Sequence, residues 1–209
     1  ILKIIGDIGT DGGAYSTMQF GGSGIDEMSV ESRLTLTNMT TEAGAKNGII
    51  EADQKTIDYL QKRGATNLKQ IKSDDDAEYA KIFEYEASEI EPIVAKPFSP
   101  DNITQVRDVS SIELDKAYIG SCTGAKYEDL LAAAKILKGK QVKIRTEVLP
   151  AAISIYKKAM ENGLLKIFMD AGVMVGPPTC GACCGAHMGV LAKDEICIST
   201  TNRNFPGRM

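Results

Sequence analysis

Short apolar runs alternate with helix-length stretches through the second half of the chain, and no other feature restricts the fold as much. Residues 116–119, 141–148, 173–175 and 196–200 read as strands, and residues 127–137, 151–160 and 164–170 between them read as helices. Joining consecutive strands through helices makes the strands parallel and puts the helices on the sheet faces. In such sheets, binding sites gather beyond the carboxyl ends of the strands. The expected fold class is α/β, with mostly parallel sheets.

The first half is less regular. Seven glycines fall between Gly6 and Gly24, a density that implies turns and close backbone approach. A short strand is expected over 14–20. Ser29 reads as the N-cap of a helix that carries Val30, Leu34, Leu36 and Met39 and ends near Gly44. Ile49-Ile50 reads as a buried strand, and Asp53 opens a second helix that stops at Gly64. The run Asp74-Asp75-Asp76 lacks the alternating acids, glycine and distal glutamate of a calcium loop, so it belongs on a solvated surface. A strand is expected over 82–85. Pro92, Pro97 and Pro100 then break both periodicities, which makes 92–112 the best linker and gives two domains, 1–105 and 106–209.

Composition narrows the function classes. Of 209 residues, 43% are apolar and 25% charged, with a net charge of -4. Without a Lys/Arg cluster to neutralise phosphates, no nucleic-acid partner is expected. No apolar run approaches the roughly 20 residues that span a bilayer, so no membrane partner is expected. Five cysteines with no secretory leader fit the reducing cytoplasm better than a disulfide framework. The chain begins at Ile1, inside an uncapped apolar run, and ends without a closing element, so a piece of a longer polypeptide is expected.

The chemistry concentrates in three short motifs. Cys122, in Gly120-Ser121-Cys122-Thr123-Gly124, follows a strand and precedes a helix, whose dipole favours a thiolate. Its competing role is a small buried residue in a tight turn. Cys180-Gly181-Ala182-Cys183 sets two thiols around small residues. A structural zinc wants four ligands, yet there is no second C-x-x-C and His187 is the only histidine. Pro177-Pro178 ahead of the pair also argues against a thioredoxin-like redox site. Cys122, Cys180 and Cys183 together could instead bind three corners of an iron-sulfur cube and leave one iron open. Cys184 and Cys197 are expected to pack as small apolar side chains. In Asn202-Arg203-Asn204-Phe205-Pro206-Gly207-Arg208, two guanidinium groups could each grip a carboxylate bidentately, which lysine cannot do. A surface loop with solvated arginines is the competing reading.

Taken in order, Asn38-Met39-Thr40-Thr41-Glu42-Ala43-Gly44-Ala45, Gly120-Ser121-Cys122-Thr123, Tyr127-Glu128-Asp129-Leu130, Cys180-Gly181-Ala182-Cys183 and the Ser199 to Arg208 run resemble the aconitase superfamily, nearly end to end. The resemblance implies two α/β/α subdomains of the aconitase type, 1–105 carrying Asn38 and Glu42, and 106–209 carrying the cysteines and arginines. It implies a 4Fe-4S cluster on Cys122, Cys180 and Cys183, with Glu42 and Asn38 facing the open iron. Asn202 would lie near the cluster, and Arg203 and Arg208 would hold substrate carboxylates. A helical glutamate is ordinarily solvated, and the resemblance reverses that expectation for Glu42. The implied activity is a hydro-lyase that isomerises a hydroxy di- or tricarboxylic acid by dehydration and rehydration. The motifs look closer to the isopropylmalate-acting branch, in leucine biosynthesis, than to the citrate-acting one. Homoaconitase- and methylmalate-type substrates stay open, as does a non-enzymatic zinc-binding module. The implied partners are a small hydroxy-carboxylate substrate and a small subunit bearing the swivelling domain, without which the chain is expected to be inactive. Two departures stand out: Gly124-Ala125-Lys126 where many members have Asn-Gly-Arg, and Cys184 where Leu or Ile is usual.

Overall fold

The computed structural model describes residues 1–185 and 187–209. Residues Lys3–Ile93 form one compact unit and Val94–Met209 another.

The first unit starts with helix α1 (Leu2–Ile8), which buries Ile5. Strand β1 (Thr17–Phe20), helices α2 (Ser23–Glu27) and α3 (Val30–Met39), strand β2 (Asn47–Ile50) and helix α4 (Gln54–Gln61) follow. Both caps read from the sequence are made. Ser29 Oγ accepts from the Ser32 N–H at 3.1 Å, and the Asp53 carboxylate accepts from the Thr56 N–H at 3.0 Å. Each satisfies one of the donors that a helix start leaves without a partner. Past Met39 the chain tightens into a 3-10 turn, Thr40–Ala43, closed by Gly44 at φ 78°, a left-handed conformation that glycine enters without steric cost. β1 and β2 pair in parallel, with Thr17 opposite Asn47. Arg33 is buried on α3, and its guanidinium meets the Asp53 carboxylate at 2.6 Å and the Asp26 carbonyl at 3.2 Å. The hydrogen bond from Arg33 holds the Asp53 carboxyl well below the usual carboxylate range.

In the second unit, β3 (Ile93–Ala95) and β4 (Ile103–Gln105) make a two-stranded sheet. Then come β5 (Lys116–Gly120), α5 (Ser121–Gly124), α6 (Tyr127–Leu137), β6 (Arg145–Leu149), α7 (Ile153–Glu161), α8 (Leu164–Asp170), β7 (Met174–Val175) and β8 (Cys197–Ser199). Four of these strands form a parallel sheet in the order β7-β6-β5-β8. Leu130 and Ala134 of α6, Ala159 of α7 and Phe168 of α8 pack with Val148 of β6 in one core cluster. Burial of each large apolar side chain contributes about 2 kcal/mol. β6 is buried at four successive positions, 146–149, the pattern of an inner parallel strand covered on both faces. Among the described residues, no helix is long and apolar enough to cross a membrane.

Several elements depart from expectation. The strand expected over 14–20 begins only at Thr17, because Tyr15 takes φ 58° and interrupts extended chain. Residues 82–85 form no strand; Ile82 is 74% exposed, so no buried face draws the segment into a sheet. Of 141–148, only the part from Arg145 is strand. The stretch 92–112 carries structure of its own, since Pro97 and Pro100 lie in the turn between β3 and β4, closed by the Lys96 N–H donating to the Asn102 carbonyl at 2.9 Å.

Candidate functional site

At the carboxyl end of β5 the chain makes an abrupt turn. Ser121 is buried with φ 76°, a region costly for a residue with a Cβ, and Cys122 follows it with an exposed side chain. Two contacts hold that turn. The Gly120 N–H donates to Thr200 Oγ1 at 3.0 Å, and the same hydroxyl donates to the Gly124 carbonyl at 2.9 Å. Thr200 follows β8, the strand beside β5, so sheet pairing delivers it to the turn. A Cβ on Gly124 would collide with Thr200, which explains glycine at that position.

The second motif is a 3-10 turn, Gly181–Cys184, ended by Gly185 at φ 73°. Tyr118 of β5 reaches it directly, its hydroxyl donating to the Cys180 carbonyl at 2.9 Å. Burial pushes the Tyr118 phenol up, with Cys183 and Glu147 adding to the effect, so it stays a neutral donor. The turn also packs closely on the arginine loop. A Cβ on Gly185 would sit 2.8 Å from the Gly207 carbonyl and 3.0 Å from that of Arg208. His187, the only histidine, shares a hydrogen bond of 3.0 Å with Thr179.

Cys183 lies at the middle of this group. It is buried, and its thiol donates to Asn202 Oδ1 at 3.8 Å. Burial pushes the thiol up, Arg208 opposes that by charge and hydrogen bond, and Cys180 and Cys122 push the same way as burial. Cys122, Cys180, Cys183, Asn202 and Arg208 therefore share one neighbourhood. Arg208 Nε is buried there with no hydrogen-bond partner among the described residues. Arg203 stands in the same loop, partly buried. Asn204, between the arginines, donates to the carbonyls of Lys96 at 2.6 Å, Ser99 at 3.2 Å and Ala95 at 3.3 Å, which fixes the loop to the β3–β4 turn. Among the described residues, no three or more Cys, His, Asp or Glu side chains are gathered as a ready metal site. Cys184, expected as packing, is exposed, its thiol donating to the Gly181 carbonyl at 3.2 Å. Cys197 is partly buried beside Tyr118 and Leu149.

A buried ion pair lies within the sheet. Lys116 of β5, fully enclosed, meets Glu147 of β6 at 2.9 Å and also donates to the Gly189 carbonyl. It anchors the loop that follows the C-x-x-C.

Two further expected site residues belong to the first unit. Asn38 is exposed near the end of α3, and Glu42 lies in the following 3-10 turn, only 4% exposed. The ordinary expectation of a solvated helical glutamate fails for Glu42.

Over residues 1–209 the chain matches the family model described as "Aconitase family (aconitate hydratase)". The chain belongs to the aconitase family. Among its relatives in that family, it is 50% identical over 213 residues to the 3-isopropylmalate dehydratase large subunit 1 of Pyrococcus abyssi, and 51% identical over 213 residues to that of Pyrococcus furiosus. It is 50% identical over 211 residues to the 3-isopropylmalate dehydratase large subunit of Heliobacterium modesticaldum. Each match covers 100% of this chain and 50% of the relative, so the chain spans about half the length of the curated relatives it matches.

Aconitase-family membership implies an iron-sulfur cluster, and the residues present fit one on their own chemistry. Cys180 and Cys122 each act on the Cys183 thiol, and a guanidinium with an unfilled donor beside Cys183 suits a group of net negative charge. Tyr118, Thr200 and Asn204 were missed as supporting residues. One signal for Tyr118 was available in the sequence: it is an aromatic two positions before Gly120 on the same strand face, and a Cβ on Gly120 would strike its ring. Thr200 and Asn204 act through backbone carbonyls and amides distant in sequence, which no spacing rule exposes.

Proposed function

We propose that the chain is part of a 4Fe-4S hydro-lyase that isomerises 3-isopropylmalate and 2-isopropylmalate by dehydration and rehydration, in leucine biosynthesis. The observation that carries this reading is the identity of about half of all positions, along the whole chain, with proteins named 3-isopropylmalate dehydratase large subunit. "Large subunit" implies a small one, and that small subunit is the proposed partner. Five cysteines outside any disulfide suit a reducing cytoplasm as the compartment.

Cys122, Cys180 and Cys183 would hold the cluster, which when bound supplies a Lewis-acidic iron with an open coordination position. The chain's own residues would do the rest. Arg208 and Arg203 would clamp substrate carboxylates through paired N–H donors, neutralising the negative charge that grows as the proton leaves the carbon next to a carboxylate. Arg208 Nε has a donor to spare for that purpose. Asn202, already against Cys183, would hold the substrate end nearest the cluster. Glu42 would pass a proton at its carboxylate and Asn38 would orient the leaving hydroxyl. The base that removes the carbon-bound proton would come from the small subunit.

The test is turnover of 3-isopropylmalate by the full-length polypeptide, reconstituted anaerobically with its small subunit and set against citrate, homocitrate-derived and methylmalate substrates. Preference for 3-isopropylmalate supports the proposal. Preference for another hydroxy acid would move it to that substrate, and no turnover of any of them would refute it.

A further inference from the structure

Two of the thiols proposed as ligands, Cys122 and Cys180, are 58 positions apart (180 minus 122), yet one side chain spans the gap. Tyr118 stands four residues before Cys122 on the strand that ends at Gly120, and its hydroxyl donates to the Cys180 carbonyl at 2.9 Å. The ring is 1% exposed and packs with Leu149 and Ala182. Two glycines make room for it. A Cβ on Gly120 would strike the ring, and one on Gly181 would strike the hydroxyl and approach Leu149 Cδ2 at 2.7 Å. Glycine thus occupies both the step before Ser121-Cys122 and the step after Cys180, where the phenol has to enter.

We infer that Tyr118 is a positioning residue for the cluster, locking the Cys180 peptide to the strand that presents Cys122; the inference rests on the proposed cluster assignment. The carbonyl it engages directly precedes the Gly181 N–H, which donates to Thr179 Oγ1 at 3.4 Å, so both sides of that peptide plane are held. Removing the hydroxyl leaves the Cys180 carbonyl with the Cys183 N–H, at 3.1 Å, but without its tie to β5, and the Cys180 peptide is then held less firmly to the strand. Cys180 is the exposed thiol of the C-x-x-C pair, whereas Cys183 is buried and held by Arg208 and Asn202. Loosening therefore falls chiefly on Cys180, since Cys183 keeps its contacts with Arg208 and Asn202.

The experiment uses Tyr118→Phe in the full-length protein, which keeps the ring and removes one oxygen. Parent and variant are loaded anaerobically with iron and sulfide, then exposed to air and an iron chelator while visible absorption and released iron are followed. The variant should reach the same initial content and lose its cluster about five-fold faster, the equilibrium worth of one neutral hydrogen bond. In the cluster-free proteins, alkylation read peptide by peptide should accelerate at Cys180 and stay unchanged at Cys122, a selectivity that general destabilisation would not produce. Equal rates of cluster loss in a parent and variant that both load would overturn this inference alone. A parent that takes up no iron and sulfide would overturn it together with the cluster assignment.

Discussion

Arg208 hydrogen-bonds the thiol of Cys183 and partly offsets the upward push of burial on it, so the loop after β8 and the C-x-x-C turn share one electrostatic site. Its neighbour in the same loop, Arg203, offers a second guanidinium. Replacing either by lysine keeps the charge and loses the planar pair of donors. In the assembled enzyme, Arg203→Lys should lower kcat/KM by roughly ten- to a hundredfold, the worth of one charge-assisted hydrogen bond. Its unfolding free energy should stay within about 0.5 kcal/mol of the parent's, the usual range for a side chain outside the core. Steady-state kinetics beside denaturant titration separates the two effects, and unchanged kinetics would remove Arg203 from the site.

The Lys116–Glu147 pair makes a different prediction. Both side chains are buried, so removing one leaves a charge with no partner and should cost about 3–5 kcal/mol, whereas replacing both by apolar residues should cost much less. Denaturant unfolding of Lys116→Met, Glu147→Leu and the double variant tests this. Additive losses in the double variant would show that the pair is not coupled.

Burial pushes the Cys197 thiol from its ordinary value near 9 up to about 11. The folded state therefore holds the proton more tightly than the unfolded one. The resulting stabilisation is complete below pH 9 and is lost as pH rises through about 11. Thermal unfolding between those limits should fall more steeply for the parent than for Cys197→Ala. Parallel curves would place the thiol in a more open setting.

The second unit was the more legible half because its signals are local. The helix over 127–137 begins and ends where its apolar spacing does; in the first unit only the caps were as plain, Ser29 and Asp53 acting as short polar residues do ahead of apolar runs. Residues 82–85 misled because β-rich composition describes a preference for a half-buried surface, and here Ile82 and Phe83 both stay exposed. The cysteine and arginine motifs were visible as patterns, whereas their support was not. Thr200 and Asn204 work on backbone groups 76 to 109 positions away, at distances fixed only by the finished sheet.

Glu42 is the buried carboxylate assigned a proton-transfer role. Glu42→Gln keeps its shape and removes its charge, so in the reconstituted enzyme turnover should fall by about 10²–10⁴-fold with cluster content unchanged. Stopped assays beside iron determination on the same samples test it. Full turnover with iron retained would exclude the role.

The most direct measurement is iron and acid-labile sulfide content, with the visible spectrum, of full-length protein prepared without oxygen. About four irons and four sulfides per chain are predicted, lost in Cys122→Ser, Cys180→Ser and Cys183→Ser and kept in Cys184→Ser. Zinc in place of iron, or an unchanged cluster in any of the first three variants, would contradict the assignment.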